Sequence, residues 1–533
     1  MRLMSPRGAV LLLPIALLTL IPLLVVMGSF LHPEPEIWQH LSEYVLPDVL
    51  KNTLILIVGV GVGVLFLGVP LAWLTAVCQF PGRKFFAWAL MLPLAMPAYV
   101  LAFVMVGFLD FTGPVQTLLR EWTGSSAWFP RIRSTGGVIL VMSLAFYPYV
   151  YLLARNAFLT QGKRALEAAQ MLGMSRPRAF FAVALPMARP WLIAGVTLAL
   201  METLADFGTV SIFNFDTFTT AIYKSWFSLF NLTAASQLAS LLVLLVLLML
   251  GLERWGRGAR RYHGRIVARE RIILTPSQGR WATVACTLVL LLAFLIPMAQ
   301  LLVWCAEVWR EDFDSRYPGF ILRSIGISLL AALIVTVLAL LMVYVQRRYP
   351  AKITSALVRI ATVGYAVPGT VLAVGVFIPI AWLDNQLLPI AHALGFTTFQ
   401  ILKGSVAVML LALAARFMAV GFQPIDSAMQ RISRNQEDAA RTLGVSERGL
   451  LWRLHLPLLQ GGVLTAMLMV FVDVMKEMPI TLMTRPFGWD TLAVRVFEMT
   501  SEGMWQNAAL PSLLIVISGL LPVILLVRKS ESE

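Results

Sequence analysis

An all-α polytopic membrane protein, with twelve transmembrane helices arranged as two parallel six-helix repeats, is the fold class this sequence predicts. Three observations predict it. Of the 533 residues, 59% are hydrophobic and 13% charged, and the mean hydropathy is +0.80, whereas soluble domains run about half apolar and about a quarter charged. Apolar runs of about 20 residues, the length a helix needs to cross a bilayer, occur six times in each half. A shift of 271 positions then brings the halves into register, carrying Pro97 onto Pro368, Ala102 onto Ala373, Gly173 onto Gly444 and Pro186 onto Pro457.

The expected spans of the first half lie near 9–30, 53–78, 85–109, 136–158, 191–213 and 234–252. Those of the second lie near 281–305, 324–346, 357–382, 402–425, 461–483 and 508–527. The opening stretch "MRLMSPRGAVLLLPIALLTLIPLLVVMGSF" has an apolar run too long for the core of a signal peptide and no small-residue cleavage site after it, so it reads as the first span. The chain therefore divides into a first repeat at 1–252, a basic linker at 253–280 and a second repeat at 281–533. Six spans per repeat, an even number, make the copies parallel, related by an axis along the membrane normal.

Charge sets the orientation. With both termini inside, the cytoplasmic segments collect roughly 30 of the 42 Lys and Arg residues against about 9 acids, and the outer segments hold about 11 against about 15. The net charge of +14 follows from this asymmetry and is no sign of nucleic-acid binding. The densest block, "ERWGRGARRYHGRIVARERI", suits a linker lying on anionic lipid headgroups.

Several chemistries are excluded. The three cysteines, Cys78, Cys286 and Cys305, are scattered in apolar surroundings and form no disulfide framework or CxxC site. The five histidines show no metal-ligand spacing. No G-x-x-x-x-G-K-[ST] phosphate loop occurs, and "GVGVGV" at 59–64 lies inside a span, where glycines allow close helix packing. No nucleophile, base and orienting acid stand at a plausible spacing, so the chain is not an enzyme by itself.

The best-matched segments of the repeat are polar. "EAAQMLGMSRPRAFFAVALP", Glu167 to Pro186, aligns with "DAARTLGVSERGLLWRLHLP", Asp438 to Pro457. Small Ala168 and Ala169 allow a partner to approach closely. Gly173 supplies a left-handed residue that ends a helix, Ser175 can cap the next, and Pro186 marks that helix's end. The expectation is an amphipathic helix-turn-helix in each of the loops 163–190 and 432–460. Each loop, at roughly 30 residues, is longer than a connection needs. Two copies at matched spacing suit docking to a twofold cytosolic partner.

At these residues the chain resembles the membrane subunits of bacterial binding-protein-dependent ABC importers, whose loop carries EAA, three residues, Gly, nine residues, Ile, one residue, Leu-Pro. Glu167-Ala168-Ala169, Gly173 and Leu185-Pro186 match in one copy, and Asp438-Ala439-Ala440, Gly444 and Leu456-Pro457 in the other. Val183 and Leu454 stand where Ile is usual, and Asp438 stands where Glu is usual, with Glu437 beside it able to serve. The resemblance implies a type I ABC importer permease in the bacterial inner membrane. Its loops would couple to two copies of a cytosolic ATPase that carries the ATP and Mg, so that this chain holds no cofactor. "ETLADFGTVSIFNFDTFTTAIYKSWF" and "KEMPITLMTRPFGWDTLAVRVFEMTSEGMWQNAALP" resemble the fused ferric-iron permeases. That resemblance implies a periplasmic ferric-iron-binding protein as partner and ferric iron as cargo. Related fused permeases for thiamine, phosphonates or polyamines share the loop.

Four acids stand out inside apolar runs. The 271-residue shift carries Glu202 onto Asp473 and Asp206 onto Glu477, and each i, i+4 pair lies on one helix face. Counted from 191, Glu202 sits roughly 17 Å into the membrane and Asp206 about 6 Å further. A carboxylate there costs about 2.5 kcal/mol or more, which marks a functional site or a protected pair. Three readings stay open: ion pairs with Lys476, Arg485, Arg495 or Lys224, transient contact with a hard cation such as iron, or a gate or a surface that receives the outer binding protein. A rival class, a secondary transporter driven by protons through these acids, explains them but not the duplicated loop. Gly208 and Pro479 occupy matched positions just beyond and loosen each helix.

Overall fold

The computed structural model describes residues 6–31, 35–162, 169–257, 271–397 and 400–531. Glu167, Ala168 and the central part of the basic linker lie outside the described residues. Among the described residues, eleven helices are long and apolar enough to cross a membrane, and a shorter apolar helix over Ala509–Leu520 makes a twelfth candidate.

Two compact units form, and they cut across the sequence repeats. One comprises Met1–Gln39, Ala221–Val243 and Phe313–Arg495; the other comprises His40–Thr220, Leu244–Asp312 and Val496–Glu533. Each takes the central helices of one repeat and the opening helix of the other. In the first, the Thr19 hydroxyl on Pro6–Met27 donates to the Ala361 carbonyl at 3.2 Å, and Pro22 packs on Gly375. In the second, Trp304 on Ile296–Asp312 stacks on Phe103 at 6.3 Å and closes over Gly107. Packing thus joins pieces of both repeats, where the sequence divides the chain at 252 and 281.

The third span of each repeat is not one helix. In the first repeat it runs as Arg83–Ala89, a 3-10 turn Leu92–Ala95 and Ala98–Leu109; in the second, as Lys352–Thr362, a 3-10 turn Val363–Ala366 and Gly369–Ala393. The matched Pro97 and Pro368 start the outer pieces with nearly identical extended ψ angles, 145° and 143°. Proline cannot donate to the preceding turn, so each break strands carbonyls that lipid cannot satisfy. Protein donors fill them. Tyr147 donates to Leu90 O at 2.8 Å and Tyr151 to Ala87 O at 2.9 Å. In the second repeat Arg416 donates to Val367 O at 2.7 Å, and Ala361 O, the counterpart of Leu90 O, takes the Thr19 hydroxyl.

Small residues set the helix spacing. Gly59 packs against Ile139, and Gly63 against Ser143, joining Leu46–Val77 to Thr135–Ala157 along the "GVGVGV" face. Val150 wedges between Gly68 and Gly195, and a Cβ added at Gly195 would lie 2.9 Å from the Val150 Cα. Backbone at that distance cannot yield by a rotamer change. Gly195→Leu therefore costs about 1–3 kcal/mol of stability, read as a lowered melting temperature of the detergent-solubilised protein; an unchanged melt refutes this packing.

Candidate functional site

The fifth span of each repeat breaks at the outer acid of its pair. The helix Leu185–Ala205 stops at Asp206 and a short helix Gly208–Ile212 follows; Leu456–Lys476 stops at Glu477 and Pro479–Thr484 follows. Gly208 and Pro479 thus begin new helices, where single spans over 191–213 and 461–483 were expected. A helix started inside a membrane exposes N–H groups that need acceptors. Asp206 Oδ1 accepts from the N–H groups of Thr209 and Val210 at 2.9 and 3.2 Å, and Oδ2 accepts from the Thr209 hydroxyl at 2.9 Å. Glu477 accepts from the N–H groups of Ile480 and Thr481 at 2.9 and 3.1 Å and from the Thr481 hydroxyl at 3.2 Å. Under the 271-residue shift these are the same backbone positions. Both acids are helix caps, a role that the sequence reading did not weigh; the signal was the acid two residues before Gly208 or Pro479.

The inner acids stand differently. Glu202 and Asp473 are half-buried, one turn nearer the opposite helix end, and both hold polar or electrostatic contacts within the protein. Of the basic residues considered as partners for the acids, Arg485 pairs with Asp490 at 3.1 Å, and Arg495 lies over the Phe320 ring at 5.1 Å. Among the described residues no group of three His, Cys, Asp or Glu side chains is arranged to hold a metal ion.

Over their described residues the two duplicated loops end their first helix alike. In the second, Ser433 and Gln436 form a capping box that starts Arg434–Thr442, and Gly444, at φ 82°, ends it: Gly444 N donates to Arg441 O and Val445 N to Ala440 O. In the first, Gly173 is at φ 81°, Gly173 N donates to Gln170 O, and Met174 N to Ala169 O. These are matched positions and the same αL terminus. Ser446 caps the next turn through Gly449 N at 3.1 Å. Leu172 and Leu443, also matched, are 81% and 84% exposed.

Pro186 and Pro457 do not end the second helix. Both sit in a continuous helical run, just after π turns at Phe180–Ala184 and Leu451–His455 that contain Val183 and Leu454. The wider turn removes the i−4 hydrogen bond that proline cannot make. Leu185 and Leu456 open the α-helical parts, so each loop feeds directly into the broken fifth span.

The anchoring of the loops differs. Glu437 is buried, where Arg347 Nε reaches it at 2.9 Å and His455 Nε2 at 3.2 Å, while Arg347 Nη2 also donates to Ile432 O at 2.8 Å. Asp438 instead points out and pairs with Arg441 at 2.7 Å, so Glu437 cannot take the exposed place of the motif acid. In the first repeat, Ala76 and Ala184 stand at the positions of Arg347 and His455. There Trp73 meets Phe158 and Phe180 edge-on, at 5.1 and 4.6 Å.

Burial pushes the Glu437 carboxyl up, but the hydrogen bonds and charges of Arg347 and His455 outweigh it and hold it below the ordinary glutamate range. A depressed carboxyl contributes stability above its unfolded value and loses it as pH falls through the folded one. On acidification through and below the ordinary carboxylate range, the melting temperature of the native protein should fall more than that of Glu437→Gln. At neutral pH the variant should be weaker by about 1–3 kcal/mol. Equal acid sensitivity would sink the clamp. For the caps, Asp206→Ala should cost about 1–2 kcal/mol while Asp206→Asn, which keeps an acceptor, costs less; identical melts for both variants refute the cap.

Comparison with known proteins accords with this geometry. The family described as "Binding-protein-dependent transport system inner membrane component" matches twice, over residues 68–255 and 336–531. The Fe(3+)-transport system permease protein FbpB 2 of Haemophilus influenzae is 28% identical over 489 residues, 90% of each chain. The molybdenum transport system permease protein ModB of Escherichia coli is 30% identical over 146 residues, 27% of this chain and 62% of its own. The sulfate transport system permease protein CysW of Escherichia coli is 30% identical over 202 residues, 37% and 66% of the two chains. The duplicated loops, the broken spans and the doubled match lead to one assignment: the chain belongs to the binding-protein-dependent ABC importer permeases, as a multi-pass, non-catalytic inner-membrane subunit that works with an ATPase and a periplasmic binding protein.

Proposed function

We propose that this permease moves ferric iron from the periplasm to the cytoplasm by alternating access, with both termini in the cytoplasm. The observation that carries the cargo is the extent of the likeness to the Fe(3+)-transport permease, which runs over 90% of both chains, whereas the molybdenum and sulfate relatives match about a third of this chain or less. The positive-inside asymmetry supports the orientation. A periplasmic ferric-iron-binding protein delivers the ion, and two ATPase copies, holding ATP and Mg, dock on the elements around Ala169, Gly173 and Leu172 and around Ala439, Ala440, Gly444 and Leu443. Glu167 and Ala168 complete the first of these elements. The matched exposed leucines support this docking.

In this reading the membrane acids divide their work. Asp206 and Glu477 hold the helix breaks, and Glu202 and Asp473 meet the passing cation. Contacts that transient must stay weak, since conduction needs release as well as entry. The double variant Glu202→Gln/Asp473→Asn should lower labelled-iron uptake about tenfold, the loss of one charge-assisted contact of about 1.4 kcal/mol, at unchanged membrane abundance. Cells lacking the chain should lose iron uptake but keep uptake of thiamine, phosphonates, molybdate and sulfate. Loss of one of those with iron uptake intact overturns the cargo, and an ATPase rate indifferent to removal of both docking elements overturns the coupling.

A further inference from the structure

In the unit formed by His40–Thr220, Leu244–Asp312 and Val496–Glu533, a groove of about 1780 Å³ runs between the helices Leu46–Val77, Leu185–Ala205 and Pro276–Leu290. Its wall is almost wholly aliphatic and aromatic, and Arg189 and Glu253 are the charged residues among those lining it. Trp255 and Trp281 on its rim are 83% and 74% exposed, as suits indole rings at a membrane interface. At one end Cys78 and Ile272, which both line the groove, pair as a parallel β-bridge. The orientation proposed above places that end at the cytoplasmic leaflet.

Three arginines gather beside this bridge. Arg271 immediately precedes Ile272, Arg83 follows the strand Cys78–Gln79 by one turn, and Arg155 lies in the last turn of Thr135–Ala157. Arg83 is 8% exposed and donates Nη1 to Thr75 O at 3.1 Å. The Nε atoms of all three are buried and have no hydrogen-bond partner among the described residues. Thr75 links the groups: its carbonyl takes the Arg83 Nη1, and its hydroxyl lies 3.0 Å from that of Tyr151, one turn before Arg155. Among the described residues no carboxylate pairs with any of them. Arg83 is buried and Arg155 and Arg271 are half-buried, and their unpartnered Nε donors suit an anion with several acceptor oxygens, a role in which phosphate fits the guanidinium fork.

We propose that this groove binds an anionic phospholipid of the cytoplasmic leaflet, its phosphate held by Arg83, Arg155 and Arg271 and an acyl chain lying along Val69, Trp73 and Val196. The charge of the cluster selects the headgroup, and the apolar wall between membrane-spanning helices selects the chain. A free phosphate would leave that wall without an occupant. The site is separate from the acids of the fifth spans, and its test does not depend on the cargo.

The test uses the full chain purified with its ATPase partner in nonionic detergent, with phosphatidylglycerol added and bound lipid read by native mass spectrometry. Retention should weaken about five-fold for each arginine removed in Arg155→Gln and Arg271→Gln. Val196→Trp, which leaves every arginine in place but fills the groove, should also reduce it. Melting temperatures of the lipid-free variants show that they fold. Three results would overturn the proposal: equal retention by the arginine variants, equal retention of phosphatidylethanolamine and phosphatidylglycerol by the native protein, or thermal protection by millimolar inorganic phosphate that matches the lipid's.

Discussion

In hydrocarbon there is no water to satisfy a backbone group, and this protein breaks helices in four of its spans. Everything near the candidate site depends on how the resulting orphan N–H and C=O groups find partners. At the third spans the orphans are carbonyls, met by Tyr147, Tyr151, Arg416 and Thr19. At the fifth they are N–H groups, met by Asp206 and Glu477. The two acids therefore belong to the breaks, as the groups that satisfy their N–H donors. The π turns at Phe180–Ala184 and Leu451–His455 join the duplicated loops to the fifth spans within one continuous helical run.

What was legible in the sequence is what local chemistry decides. The repeat, the count of apolar runs, the left-handed glycines Gly173 and Gly444 and the polar loops between spans all follow from short stretches read alone, and all appear in the structure. Gly208 and Pro479 announced a weakened helix. The rest needed information from elsewhere in the chain. Whether an acid caps a helix or faces a pathway depends on where its own helix stops, and a run of apolar residues does not say. Pro186 and Pro457 look like stops until the π turn before them is known. Choosing between Glu437 and Asp438 requires knowing that Arg347, ninety positions away, lies beside only one of them. The exchange of opening helices between the compact units leaves no periodic trace at all, because the faces of Pro6–Met27 and Ile296–Asp312 are apolar whichever repeat they pack against.

The same mechanical task is carried by different chemistry in the two repeats. The second docking element is tied down by Glu437 between Arg347 and His455, with the Tyr344 ring edge-on to the imidazole at 6.0 Å. Its charged groups fix direction, because a carboxylate loses much if its partners turn away. The first has Ala76 and Ala184 in place of Arg347 and His455, and nearby Trp73, the counterpart of Tyr344, packs with Phe158 and Phe180. A separate subunit used twice would have to serve both positions with one set of residues. A fused chain is free of that constraint, so the two loops can be held by different side chains. The conserved parts of the repeat, the αL glycines and the backbone caps, are those the membrane and the loop geometry demand of both copies. The divergent parts are the side chains that pack each loop against its own spans.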